Sequence, residues 1–184
     1  MSNVIFKKIE PTFRFEEYEF DCEIEELNQF FYHQAKEYIN YGYTQMYIFE
    51  DARKLILIGY FAVCCCNVQV KEKELVSVEK IARFVPGILI GKLAIDKKYQ
   101  NQKLGKDLIK KAIIIAVEIS KIVGCRCVFV DALVNKRSIN FYQNIGFDFV
   151  NDSLGIQIYK NLEENIKIER ETIKMFLDLS KFKN

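Results

Sequence analysis

The sequence has few of the features that mark metalloproteins and membrane proteins. It contains one histidine, and none of its six cysteines forms a CxxC pair, so the ligands and spacing of a zinc site are missing and we expect no bound metal. No apolar run reaches the roughly 18 residues that would span a bilayer, and the start, MSNVIFKK, lacks the apolar core of a signal peptide. We therefore expect a cytoplasmic protein without a membrane partner.

The chain also lacks a strong net charge. Its 27 lysines and arginines are nearly balanced by 25 aspartates and glutamates, which leaves a formal charge of +2. Composition therefore gives no argument of its own for binding nucleic acid or an anionic surface. Half of the 184 residues are hydrophobic, which is enough for the core of one compact domain.

The first third of the chain predicts one helix and two strands. Residues 20–42 show apolar side chains at helical spacing, with Asp21 as the predicted N-cap and Gly42 as the stop. The stretches TQMYIFE and LILIGYFAVCCC, separated by the charged turn EDARK, predict an antiparallel pair of strands. Residues 70–84 are charged and poorly periodic, which is typical of an insertion or a mobile loop.

The middle of the chain predicts a parallel crossover unit. The buried strand GILIGKLAID is followed by a helix over 104–123 and by a second buried strand, CRCVFVDAL. This order indicates an α/β sheet. The predicted buried face of the helix consists of Leu104, Leu108, Ala112, Ile115, Ile119 and Ile122.

The last third predicts a short helix, two strands and a final helix. In NKRSINFYQNIGF, Asn135 is the predicted N-cap and Gly146 the left-handed residue past the helix end. FDFV and GIQIYKNL are the predicted strands. The tail 163–184 is predicted as an amphipathic helix bearing Ile173, Phe176 and Leu177, packed on domain 1–162 or on a partner.

The loop YQNQKLGK, residues 99–106, joins the strand to the long helix with a single glycine, Gly105. The first N–H groups of a helix have no internal partner and carry the positive end of the dipole, so a pyrophosphate can bind there. Lys103 is compatible with this role if its φ is ordinary, and its ammonium would add attraction. The alternative is a plain turn.

Two motifs resemble those of the GNAT family of acetyl-CoA-dependent N-acetyltransferases. The family loop Q/R-x-x-G-x-G/A is matched at Gln100 and Gly105, with Lys103 at the central glycine. The later pattern N-x-x-A-x-x-x-Y-x-x-x-G-F is matched by Asn135, Tyr142, Gly146 and Phe147, with Ser138 in place of alanine. The resemblance implies a mixed central sheet that is splayed between its fourth and fifth strands, with helices on both faces.

The resemblance also implies a mechanism and its residues. Acetyl-CoA is the co-substrate, an acceptor amine attacks its thioester directly, and N–H groups near Ala94 and Ile95 stabilise the oxyanion. Tyr142 is the candidate general acid, its alternative being a packing role beside Phe141 and Ile145. The implied cofactor-binding residues are Leu93, Ala94, Ile95, Gln100, Asn101, Gln102, Lys103, Leu104, Gly105, Lys106, Asn135 and Ser138. Asn135 could serve only as the N-cap.

Within the family, the chain resembles toxins that acetylate the α-amino group of aminoacyl-tRNA. The landmarks are FDCEIEELNQFF, LIGKLAIDKKYQ and VDALVNKRSINFYQNIGF, within residues 18–160. The resemblance implies aminoacyl-tRNA as the acceptor, a ribbon-helix-helix antitoxin as a partner, and a homodimer as one role for the tail. Two alternatives stay open: acetylation of a small amine or a peptide N-terminus, and a catalytically inactive interaction protein with the GNAT fold.

Overall fold

The computed structural model describes residues 4–51, 56–70 and 83–182, and these residues contain one mixed α/β sheet. Its order is β1-β2-β3-β4-β5-β7-β6, and β4 and β5 are parallel. The strands are β1 (Val4–Lys8), β2 (Gln45–Asp51), β3 (Ile56–Gln69), β4 (Phe84–Ile95), β5 (Cys127–Leu133), β6 (Asp148–Phe149) and β7 (Thr172–Asp178). The prediction of a crossover unit within an α/β sheet is confirmed.

The helices are short except for the one that follows β4. They are α1 (Glu25–Gln29), a π-helical turn (Phe30–Gln34), α2 (Ala35–Asn40), α3 (Leu104–Ser120), α4 (Lys136–Gln143) and α5 (Asp152–Glu163). The chain forms two compact units. The first comprises residues 1–64 and 90–114, and the second residues 65–89 and 115–184. Strands β3 and β4 and helix α3 each run from one unit into the other.

In the first unit, aromatic side chains fill the space between the α1–α2 region and the sheet. The rings of Phe20, Phe30 and Phe31 all lie within 6.2 Å, centroid to centroid, of the ring of Tyr60 on β3. Ala94 of β4 belongs to the same buried cluster. The end of β4 is therefore held on one face by a rigid aromatic layer.

The first helix begins later than predicted. Asp21 is not its N-cap, because α1 starts at Glu25 and Asp21 precedes it in an irregular segment. There the Asp21 carboxylate accepts hydrogen bonds from the Glu23 N–H (2.8 Å) and the Asn28 side chain (2.9 Å), while Glu23 has a left-handed φ of 65°. The predicted stop is confirmed, since Gly42 follows the helix with φ 74°.

Helix α3 ends at Ser120, and its buried face is rotated from the predicted one. Leu108 and Ala112 are buried as expected, and Ile109, Ile113 and Ala116 complete the buried face. Ile122 lies beyond the helix and is exposed. The run of apolar residues at 112–117 offers two adjacent helical faces of nearly equal hydrophobicity, so the spacing did not distinguish them.

In the second unit, the predicted types of the last two elements were wrong. Residues 155–162, predicted as a strand, lie in α5, where Asn151 caps the Leu154 N–H (2.9 Å). Ile156 is 64% exposed and Ile158 is 4% exposed, which a helix allows but one face of a strand does not.

The predicted C-terminal helix is instead a strand with 3-10 turns after it. Strand β7 pairs antiparallel with both β5 and β6, placing Phe176 opposite Phe129 and Leu177 opposite Val128. Ile173, Phe176 and Leu177 are spaced as on a helix, but in β7 they are buried because the strand is covered on both faces. Residues 52–54 of the charged turn EDARK and residues 71–82 of the predicted loop lie outside the described residues.

Gly155 allows α5 to pack against β6, because a β-carbon at this position would overlap the ring of Phe149. A Gly→Ala change in a helix normally stabilises it. Here we expect Gly155→Ala to lower the free energy of unfolding by about 1–3 kcal/mol through overpacking. Urea unfolding checks this, with Gly124→Ala, where a β-carbon meets nothing within 4 Å, as the matched control. An unchanged or higher stability of Gly155→Ala would contradict the packing.

Candidate active site

The end of β4 is packed closely against β3 in the first unit. The Asp96 N–H donates to the Ile58 carbonyl (2.9 Å), and a β-carbon on residue 59 would come within 2.7 Å of the Ala94 carbonyl oxygen. Gly59 therefore permits a close backbone approach at this point. Ala94 is buried, and Leu93 and Ile95 on either side of it are partly buried.

The carboxylate of Asp96 forms the turn that follows β4. It is 4% exposed, and its two oxygens accept from the backbone N–H groups of Lys98 (2.9 Å) and Asp21 (3.0 Å). The first bond caps the short 3-10 helix Lys97–Tyr99. This turn leads directly into the loop and the first residue of α3.

The loop conformation corrects the expectation for Lys103. Asn101 and Lys103 both have left-handed φ values, 62° and 64°. Asparagine tolerates this region, whereas for lysine it costs roughly 1–2 kcal/mol, so residue 103 occupies a position that favours glycine. Gly105, in contrast, lies in the first turn of α3 without a positive φ.

The start of α3 offers backbone N–H groups as predicted. The helix begins at Leu104, and the N–H of Lys106 already donates to the Lys103 carbonyl (2.9 Å). Helix geometry leaves the preceding N–H groups, those of Leu104 and Gly105, without intrahelical acceptors. They stand at the positive end of a 17-residue helix, which is the arrangement that attracts a phosphate.

The two loop glutamines have different roles in the fold. The Gln100 Nε2 donates to the carbonyls of Cys22 (3.2 Å) and Ile95 (3.3 Å). The exposed side chain of Gln102 donates to the Lys98 carbonyl within the loop (3.1 Å). The first unit thus brings together the predicted site residues Leu93 to Ile95 and Gln100 to Lys106.

The second unit holds the remaining predicted site residues on α4. Asn135 is the N-cap, since its Oδ1 accepts from the Ser138 N–H (2.8 Å), and Gly146 follows the helix with φ 107°. Phe147 is buried at the start of the next segment. The predicted boundaries of this helix are confirmed by its caps.

Tyr142 lies on α4 between two aromatic rings. Its ring makes edge contacts with Phe141 (5.1 Å between centroids) and Phe147 (5.5 Å). Burial, with a smaller contribution from the Asp131 carboxylate, raises the pKa of Tyr142 to about 12. No hydrogen bond to its hydroxyl is found within the described part of the chain. Because its pKa is raised, the phenol keeps its proton at neutral pH.

Sequence reasoning missed Asp96, Asn28 and Asp131, and it assigned Asp21 only the role of a helix N-cap. Asp96 acts through a contact with Asp21, 75 positions earlier, and nothing in a single sequence pairs the two. The only signal was that both belong to the quoted landmarks FDCEIEELNQFF and LIGKLAIDKKYQ. In the described ranges, no group of three or more His, Cys, Asp or Glu side chains is arranged to hold a metal ion, and no helix is long and apolar enough to cross a membrane.

A known family model matches more than half of the chain. It is the model of the acetyltransferase (GNAT) domain, which matches residues 42–148. The matched region contains β2 to β5, the loop, and α4 with Tyr142.

Solved structures with a similar fold include those of KacT and of the toxin AtaT. A mutant of KacT is 21% identical with a TM-score of 0.77, over 98% of both chains. AtaT complexed with acetyl-methionyl-tRNAfMet is 20% identical with a TM-score of 0.76, over 98% of this chain and 97% of that one. A mutant of AtaT bound to acetyl-CoA and the C-terminus of the antitoxin AtaR is 22% identical with a TM-score of 0.69, over 98% and 96%.

The left-handed φ of Lys103 generates a prediction about the loop. Lys103→Gly removes the β-carbon that makes this conformation costly, so we expect it to be more stable than Lys103→Ala by about 1 kcal/mol. If backbone N–H groups bind the phosphate, the Kd for acetyl-CoA should stay within about threefold in Lys103→Gly. Thermal unfolding and calorimetric titration measure the two effects. Equal, large losses of affinity in both variants would show that the ammonium binds the phosphate.

Proposed function

The chain belongs to the acetyltransferase (GNAT) family, and on that premise we propose that it acetylates the α-amino group of an aminoacyl-tRNA, with Tyr142 as the general acid. It is an N-acetyltransferase whose co-substrate is acetyl-CoA. The observation that supports the acetyl-CoA part of the proposal is the turn that Asp96 forms. This turn joins the end of β4 directly to the start of α3, where backbone N–H groups are exposed. One acetyl-CoA molecule needs this proximity, because its thioester is proposed to bind at the end of β4 and its pyrophosphate at the start of α3.

The residues of the first unit fit the two ends of acetyl-CoA. Backbone N–H groups of the loop and of Leu104 and Gly105 hold the pyrophosphate, and the end of β4 at Ala94 and Ile95 holds the arm that carries the thioester. Acetyl-CoA supplies an activated acyl group with a thiolate as leaving group. N–H groups at the end of β4 stabilise the negative charge that develops on the carbonyl oxygen.

Asn135 and Ser138 stand at the start of α4, where Asn135 already caps the helix through its Oδ1. Its Nδ2 is a second polar group, and in the proposal it faces the pantetheine arm while the cap stays intact. Ser138 lies in the first turn of the same helix and is partly buried.

Tyr142 has the protonation state that a hydrogen-bond donor to sulfur needs. With its pKa raised to about 12, the phenol is fully protonated at neutral pH. It is also a weaker acid than a thiol, whose pKa is ordinarily about 8.5. Tyr142 therefore stabilises the departing thiolate mainly by donating a hydrogen bond as the C–S bond breaks, and any proton that it passes to sulfur is replaced by the proton that the attacking nitrogen loses when it becomes an amide.

Aminoacyl-tRNA is the proposed acceptor on two grounds. The three landmarks of residues 18–160 resemble those of toxins with this activity, and AtaT, a protein of similar fold, is complexed with acetyl-methionyl-tRNAfMet. The α-amino group of an aminoacyl ester attacks the thioester as the free amine, so no covalent enzyme intermediate is needed. By the same analogy, a ribbon-helix-helix antitoxin is the proposed protein partner, as AtaT binds AtaR.

A CoA-release screen with the purified protein tests the acceptor. We expect thiol release with charged tRNA and none with the same tRNA after deacylation. Release with polyamines or peptides but not with charged tRNA would overturn the acceptor and leave the acetyltransferase. Absence of release with every amine, despite bound acetyl-CoA, would favour an inactive interaction protein.

The proposed role of Tyr142 predicts a specific kinetic defect. Tyr142→Phe removes only the hydroxyl, so we expect kcat to fall by about 10²-fold or more while the Kd for acetyl-CoA changes little. Tyr159→Phe is the matched control. The hydroxyl of Tyr159, on α5, donates to the side chain of Asn140 (2.8 Å), which lies on α4 like Tyr142, so this change also removes one phenol hydroxyl beside α4. Similar turnover in Tyr142→Phe and the wild type would show that Tyr142 only packs the helix.

The raised pKa of Tyr142 also predicts the pH profile. A group with a folded pKa of about 12 keeps its proton below that pH, so the donor is lost only on approaching pH 12. We therefore expect kcat/KM to rise as the acceptor amine loses its proton and to show no falling limb up to about pH 10. A falling limb near pH 9 that disappears in Tyr142→Phe would mean that the phenol titrates much earlier.

A further inference from the structure

Gln100 connects the loop to a distant part of the first unit. Its side-chain amide donates to the carbonyl of Cys22 as well as to that of Ile95 at the end of β4. Both acceptors are backbone groups of the protein. The amide hydrogens of Gln100 therefore point into the chain, a direction suited to holding the loop and not to contacting a phosphate.

The segment that Gln100 reaches, residues 20–28, will be called the leading segment. It is joined to residues 95–100 by further bonds: the Asp21 N–H donates to Asp96 Oδ2 (3.0 Å), and the Lys97 N–H donates to the Asp21 carbonyl (2.8 Å). The Lys97 ammonium also pairs with the Asp21 carboxylate (2.6 Å). Residues 99–106, where the pyrophosphate is proposed to bind, will be called the phosphate loop. Of the residues that make these bonds, Gln100 is the one that lies in this loop.

The leading segment continues across β4. The Cys22 N–H donates to Asn28 Oδ1 (3.0 Å), which closes the segment on itself. Glu26 forms an ion pair with Lys92 of β4, and the Leu27 carbonyl accepts from the Tyr60 hydroxyl (2.7 Å). The segment thus covers the face of β4 that carries Lys92 and Ala94, beside the strand end where the acetyl group is proposed to bind.

We propose that Gln100 is a positioning residue that links the phosphate loop to the leading segment, so that acetyl-CoA bound at the loop fixes one wall of the acceptor site. This inference rests on the proposed function. The loop has its own supports in the Asp96 turn and in α3, whereas the leading segment is joined to the loop itself at Cys22 by the side-chain amide of Gln100. Loss of Gln100 therefore loosens the wall and leaves the phosphate-binding N–H groups in place.

Steady-state kinetics with matched variants tests the link. In Gln100→Ala, and in Gln100→Glu, whose carboxylate faces two carbonyl oxygens, we expect the KM for the acceptor to rise by about tenfold, consistent with the loss of one or two hydrogen bonds. The KM for acetyl-CoA should change by less than about threefold. Gln100→Arg keeps N–H donors for both carbonyls and should restore the acceptor KM.

Glu19→Gln is the control for the loss of a surface ion pair near the leading segment and the turn after β4. Glu19 is exposed and pairs with Lys98 at 3.9 Å, so its loss should leave both KM values unchanged. A rise in the acetyl-CoA KM alone would overturn the proposal and assign Gln100 to the phosphate. A fall in kcat with both KM values unchanged and a lower unfolding temperature would also overturn it, as a purely structural role.

Hydrogen exchange separates this inference from the proposed function. In the wild type, acetyl-CoA should slow exchange of the amides of residues 20–28, and in Gln100→Ala this protection should be lost while that of residues 104–106 persists. Equal protection of residues 20–28 in both proteins would overturn the link. Because the measurement needs no acceptor, the link can be confirmed even if charged tRNA proves not to be the substrate.

Discussion

The buried carboxylate of Asp96 is the interaction on which the site depends. One oxygen ends β4 by accepting from Lys98, and the other holds the residue that precedes the first helix. Both hydrogen bonds are donated by backbone N–H groups, so the side chain at position 96 must offer two acceptor oxygens. An amide in its place would turn a donor toward the N–H of Asp21 and leave a buried group unsatisfied. Asp96 therefore holds the end of the strand against both the turn that leads into the loop and the leading segment.

The parts of the fold that could be predicted from the sequence are those specified locally. The strand β4, the helix α3 and the strand β5 are each marked by their own apolar pattern, and the short links between them leave one topology. The boundaries of α4 follow from Asn135 and Gly146, whose cap conformations need no tertiary contact. The match of residues 42–148 to the acetyltransferase (GNAT) domain agrees with these elements.

The missed features depend on long-range contacts or on backbone conformation. The spacing of Ile173, Phe176 and Leu177 fits a helix stripe and a fully buried strand equally well, and only pairing with β5 decides between them. The left-handed φ of Lys103 could not be inferred from its residue type, because lysine rarely adopts this region. Gln100 lies at a motif position, but its side chain donates to the carbonyl of Cys22, which the motif does not include.

The position of β7 constrains the order in which the second unit can assemble. This strand lies between β5 and β6, yet it is made after both of them and after α5. Until the ribosome has released residues 172–178, the edge of β5 that pairs with β7 is open and β6 has no partner strand. The helix that carries Tyr142 is therefore synthesised well before the sheet beneath it is complete. An acetyltransferase built this way would become active only after the strand at residues 172–178 has been inserted into the sheet.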